Sequence, residues 1–163
     1  MLDQTLLREL ESYIHLHTNV MLTLQKSAEF NVYEYEEMHS IELELFIKEK
    51  RQPSFKEVLF RFIDEKENVS DAEIYTRAGM DRRHFSKIRS TPGYKPKKST
   101  VAALCLALEL SVEDTDTLLN SAGYSLTDND TSDLILQFFI EKEMYDLQEV
   151  NLALDHFSMK TIP

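Results

Sequence analysis

Residues 71–90 read D-A-E-I-Y-T-R-A-G-M-D-R-R-H-F-S-K-I-R-S and set Ile74, Ala78, Met80, Phe85 and Ile88 around a central Gly79. No other stretch constrains the chain as much. Five apolar positions, one glycine and two helix starts must satisfy one geometry: two short helices crossing steeply through a tight turn, a helix-turn-helix. Ser70 with Glu73 three residues later forms a capping box, which predicts a helix from Asp71 to about Ala78. Gly79 then supplies a left-handed backbone where a side chain would clash. Asp81 is the expected N-cap of a second helix over Arg82 to Arg89. Ile74 and Ala78 lie one turn apart, and Phe85 and Ile88 lie three residues apart, so both apolar faces can meet a common core. Arg82, Arg83, Ser86, Lys87 and Arg89 remain outward, a cationic face suited to a phosphate-lined groove.

On these residues the stretch 54–124 resembles the lambda-repressor-like helix-turn-helix domain of XRE-type transcriptional regulators. The matching segments are A-G-M-D-R-R-H-F-S-K-I-R-S at 78–90, K-K-S-T-V-A-A-L-C-L-A-L-E-L at 97–110 and D-T-L-L-N-S-A-G-Y at 116–124. The resemblance covers a little under half of the chain. It implies an all-α bundle of about five helices whose third helix reads the major groove of double-stranded DNA. Two positions depart from the family pattern. Tyr75 stands where alanine or glycine usually allows close helix contact, and Asp71 stands where glutamine usually sits beside a phosphate. On this reading Arg82, Arg83 and Lys87 reach base edges, with Ser86 as a secondary contact. Arg77, Arg89, Lys95, Lys97 and Lys98 hold phosphates.

The formal net charge of −11 looks unfavourable for a polyanionic partner until its distribution is considered. Residues 77–98 hold eight basic residues and one acid, Asp81, while the rest of the chain holds 10 basic and 28 acidic residues. A basic patch on an acidic body orients a protein on DNA and discourages other approaches. The plain alternative is a solvated surface. The loop at 90–98, S-T-P-G-Y-K-P-K-K, follows the expected recognition helix, with Pro92 and Gly93 in a turn and a new helix beginning near Ser99. Tyr94 is expected to anchor this loop.

With 163 residues, 42% of them hydrophobic, the chain can bury one full core and a smaller appendage. Three glycines, four prolines and abundant Leu, Glu and Lys favour an all-helical fold. Three segments follow. Residues 1–52 form an N-terminal helical segment with an apolar stripe at Leu6, Leu10, Tyr13, His17, Val20 and Leu24, a candidate for homodimer formation. Its second helix, from about Val32 to Lys50, contains a strand-like I-E-L-E-L alternation at 41–45. Residues 53–124 form the helix-turn-helix unit, opened by Pro53 and a Ser54/Glu57 capping box. Residues 125–163 form a C-terminal extension packed on it, with helices over about Thr131–Glu143 (Leu134, Ile135, Phe138, Phe139 apolar) and after Asp146 (Val150, Leu152, Leu154, Phe157 apolar).

Catalysis has little support in the sequence. His15 and His17 are two apart and face different sides of a helix, His39, His84 and His156 are scattered, and the one cysteine, Cys105, completes no metal-ligand spacing. No glycine-rich phosphate loop is present. The expectation is a non-enzymatic protein with no cofactor and no metal. Cys105 reads as a small core residue in a reducing compartment, and the absence of a long apolar run or a leader predicts a cytoplasmic chain without a membrane partner. Two functions then compete: a sequence-specific DNA-binding transcriptional regulator, or a protein-interaction accessory module of a bacterial or phage defence or mobile-element system that retains the fold.

Overall fold

The computed structural model describes residues 4, 5, 8, 9, 13 and 14 and the run 32–163, with side chains of that run described from residue 36. All regular structure among the described residues is helical. The chain divides into two compact units, Met1–Arg51 and Gln52–Pro163.

In the first unit, helix α1 spans Val32–Lys50. The alternating I-E-L-E-L segment is therefore helical, as its glutamate-rich, glycine-free surroundings favour. Alternation on a helix splits the apolar residues between two sides, because residues two apart differ by roughly 200° around the axis. Ile41 and Leu45 lie one turn apart on one side and Leu43 and Ile47 on the other, all four exposed. The ring of Tyr13 meets Phe46 edge-on, with centroids 6.1 Å apart. Apart from Tyr13, the expected stripe from Leu6 to Leu24 lies outside the described residues.

The second unit holds seven helices: α2 (Phe55–Glu65), α3 (Asp71–Arg77), α4 (Arg82–Ser90), α5 (Lys98–Ala107), α6 (Val112–Ser121), α7 (Thr131–Glu141) and α8 (Leu147–His156). Their starts follow side-chain chemistry. Ser54 and Ser70 form complete capping boxes with Glu57 and Glu73. Asp81, Ser111, Asp130 and Asp146 each accept a hydrogen bond from a backbone N–H of the turn they open. Asp146 accepts from Gln148 N–H at 2.8 Å, two residues on rather than three. α5 begins at Lys98, one residue before the expected start, with no side-chain cap.

Helix ends use one recurring device. At Gly79 the backbone is left-handed (φ 66°), Met80 N–H donates to the Tyr75 carbonyl at 2.8 Å, and Gly79 N–H donates to that of Thr76 at 3.0 Å. This pair of bonds is the Schellman arrangement. It recurs at Gly123 after α6, and also at Glu109, Glu143 and Ser158, which hold φ of 52°, 55° and 57° without being glycine. A Cβ in this region is strained.

The core is organised around α5. Every residue from Thr100 to Leu108 is buried, so the helix is apolar on all sides and needs neighbours all round. It packs against α3, α6 and α8, while α2 packs on α6, and α7 on α6 and α8. Ala102, Ala103 and Ala107 keep the surrounding helices close. The C-terminal pair is part of this same core through Leu136, Phe139, Ile140, Val150 and Leu154. Of the apolar residues expected on these two helices, Leu134, Phe138, Leu152 and Phe157 are exposed instead. The inward face of α7 is set by Asp133, Leu136, Phe139 and Ile140; of the expected set Phe139 is buried and Ile135 half-buried against the core.

Burial pushes the Cys105 thiol up from 9.0 to about 12; the Thr115 hydroxyl beside it works the other way, and the charge of Asp116 adds to the rise. The fold thus favours the neutral thiol, and stability falls as pH climbs from the ordinary thiol range towards that value. At pH 8 a thiol reagent should label Cys105 only through unfolding, so that labelling tracks the urea transition; fast labelling of the folded chain would contradict this packing. Glu109→Gly and Glu143→Gly should each stabilise the protein by about 0.5 kcal/mol in urea melts, the relief of left-handed strain exceeding the added chain entropy. Gly123→Ala, at φ 82° with no atom within 4 Å of the added methyl, should destabilise by about 1 kcal/mol for the same reason.

Candidate nucleic-acid interface

α3 and α4 are positioned by small, specific contacts. Ile74 and Ala78 of α3 and Phe85 and Ile88 of α4 are buried. Tyr75, placed where a smaller residue was expected, is half-buried and lays its ring against Phe85 at 5.7 Å, tilted by 49°. The larger side chain is thus accommodated as an aromatic contact between the two helices. Asp81 opens α4 by accepting from His84 N–H at 2.7 Å.

With Phe85 and Ile88 inward, α4 presents Arg82, Arg83, Ser86 and Lys87 to solvent. These four, together with Ser90, line one open hollow of about 520 Å³. Ser90, expected in the loop and given no role there, is the last residue of α4; it lies one turn after Ser86, and its hydroxyl donates to the Ser86 carbonyl at 2.8 Å. Its helical register with Ser86 was the signal that could have found it. Among the described residues no ion pair occupies Arg82, Arg83 or Lys87.

The remaining basic residues sort into different environments. Arg89 pairs with Asp71 at the start of α3. Its guanidinium also lies 4.7 Å from the Phe60 ring centroid and 5.9 Å from that of Phe85. It therefore fastens α4 to α2 and α3, which commits it before any phosphate arrives. Lys98 donates to Asp133 at 2.7 Å; that carboxylate, buried on α7, also accepts from Thr127 N–H at 3.0 Å. Arg77 lines a separate hollow with Ala72, Glu73 and Thr76. Lys95 and Lys97 are exposed and carry no ion pair among the described residues. Of the eight basic residues in 77–98, six thus carry no ion pair among the described residues.

Tyr94 anchors the loop after α4. Its hydroxyl shares a 3.2 Å hydrogen bond with His84 Nε2, and the Lys87 ammonium stands 4.9 Å over its ring. The loop's far end is held by Pro96, which is fully buried and accepts from the Tyr124 hydroxyl at 2.9 Å. The loop is thus fastened at both ends, and Lys87 is stacked rather than free to sweep solvent. Such an arrangement holds guanidinium, ammonium and hydroxyl groups on one rigid convex element, ready to donate to an acceptor-rich surface.

Arg89→Ala should destabilise the fold by about 1 kcal/mol and Asp71→Ala by less, because only the arginine also stacks on Phe60. The coupling between them should stay below about 1 kcal/mol, as both groups are partly exposed. A double-mutant cycle in urea measures this, and equal losses for the two single variants would show that the stacking contributes nothing. Among the described residues no group of His, Cys, Asp and Glu could hold a metal ion, and no helix is long and apolar enough to cross a membrane. Compared with known proteins, the chain matches no family model, no curated protein and no solved structure.

Proposed function

We propose that this chain is a sequence-specific DNA-binding transcriptional regulator, non-enzymatic and cytoplasmic, that reads double-stranded DNA with α4 of a helix-turn-helix. The observation that carries this reading is the convergence of Arg82, Arg83, Ser86 and Lys87 on one exposed hollow, free of ion pairs among the described residues, on a short helix fixed by its turn. Arginine can bond guanine through two parallel hydrogen bonds, the commonest specific contact in the major groove. Lys95 and Lys97 flank this surface in sequence and suit phosphates, which position the protein without reading sequence. Arg89, Lys98 and Arg77 take lesser parts, since the first two are already paired and the third lines another hollow. In a homodimer two such helices lie about 34 Å apart and read a palindrome. The apolar stripes on both sides of α1 make the first unit the candidate dimer surface.

A second reading has one observation in its favour. Leu134, Phe138, Leu152 and Phe157 on the C-terminal helices are exposed, as suits a protein-interaction or accessory module. Salt separates the two readings, because each phosphate contact steepens the salt dependence by about 0.9 in log–log slope and an apolar interface has no such term. The deciding experiment is selection from a randomised duplex library at several salt concentrations. Enrichment of a palindrome that Arg82→Ala/Arg83→Ala no longer selects supports the regulator. Lys97→Ala should weaken all sequences alike and lower the slope by about one. Absence of both enrichment and salt-sensitive binding removes the reading.

A further inference from the structure

Residues 159–163 run back over the second unit after α8 and are tied down. The Asn151 side chain holds both backbone groups of Ile162, donating to its carbonyl and accepting from its N–H, each at 2.8 Å. Ile162 is buried. The following residue reaches the α3–α4 turn: a methyl group placed on Gly79 would stand 3.2 Å from the Pro163 carbonyl oxygen and 3.2 Å from Leu147 Cδ2. This strap therefore sits on the turn that sets the direction of α4.

Between the strap and the first turns of α5 and α7 lies a cavity of about 290 Å³. Ala102, Leu136, Leu154 and Ile162, all buried, give it an apolar floor. Its rim carries Lys97, Lys98 and Lys160. Three lysines and two acids line the cavity, a net charge of +1, and both acids hold polar contacts of their own. Asp130 accepts from Asp133 N–H at 3.1 Å to cap α7, and Asp133 pairs with Lys98. Lys97 and Lys160 are exposed and carry no ion pair among the described residues. An apolar floor beneath two uncommitted ammonium groups is complementary to a hydrocarbon body bearing one anionic head. The volume lies at the small end of ligand sites, which limits the occupant to metabolite size.

We infer that this cavity binds a small carboxylate with an apolar body, and that its occupant is an effector of the α4 surface. The binding stands on the cavity alone; the effector role rests on the DNA reading. Two physical routes connect them. The carboxylate neutralises Lys97, a cation otherwise available to phosphate, and a body seated against Ile162 shifts the strap that lies on Gly79. Both routes lower DNA affinity.

The probe is octanoate, titrated into the full chain and followed by amide NMR, with octanamide as the neutral control. Expected are saturable shifts at 97–99, at 159–162 and at Gly79, about tenfold weaker binding of octanamide, and at least about threefold weaker octanoate binding by Lys160→Gln. Shifts that never saturate, or equal affinity for octanamide, would overturn the site. In the second arm, octanoate at saturation should weaken binding to the selected duplex by at least about threefold in the wild type, and Lys160→Gln should need at least about threefold more octanoate for the same loss. A cavity that fills without changing DNA affinity would overturn the effector role. If the chain binds no duplex, the DNA reading fails and the first arm still decides the site.

Discussion

The second unit depends on the burial of α5. A helix of ordinary length with no polar face cannot lie on a surface; it must be enclosed, and each neighbour that encloses it is thereby placed. α3, α6 and α8 touch it directly, and α2 and α7 are held through those three. Leu104 and Leu106, both essentially inaccessible, represent about 1.5–3 kcal/mol of transfer free energy each. The geometry of the α3–turn–α4 segment follows from this enclosure, because the inward residues of α3 and α4 join the same core and leave the cations of α4 no position but the outside.

Charge in the 77–98 segment is consequently less uniform than its composition. Two of its cations act as fasteners, Arg89 across α2 and α3 and Lys98 to the C-terminal extension, and each has an acid at hydrogen-bonding distance. The other six carry no ion pair among the described residues. Asp71 illustrates the difference between a local and a tertiary account of one residue. By sequence alone it is an acid near a phosphate site; in the fold it neutralises Arg89, so its charge is not presented bare to a polyanion.

Much of this was legible because it rests on local chemistry. Ser54, Ser70, Asp81 and Ser111 announce helix starts through side-chain oxygens, and Gly79 and Gly123 announce ends through their freedom at positive φ. The outward set on α4 follows from helical register once Phe85 and Ile88 are taken as inward. The remainder was not legible, for particular reasons. Glu109, Glu143 and Ser158 adopt the left-handed conformation because tertiary packing imposes it against intrinsic preference, and no sequence signal marks them. Leu134 and Phe138 look like core residues, yet the inward face of α7 carries Leu136, Phe139 and Ile140 together with Asp133, which pairs with Lys98, 35 positions away. The cavity under the strap depends on Asn151 meeting Ile162, a contact between a helix and an irregular segment that periodicity cannot express.

The left-handed turns at Glu109 and Glu143 also bear on how the chain can change. Any glutamate codon becomes a glycine codon by a single base substitution. At two positions, then, the gene lies one step from a fold with less backbone strain, and both sites are exposed, so neither step disturbs packing. Stability in this unit is therefore not at the limit its topology permits. Substitutions on the α4 surface or in the cavity rim that weaken the fold have a ready source of compensation outside both sites, which widens the set of surface variants the same scaffold can tolerate.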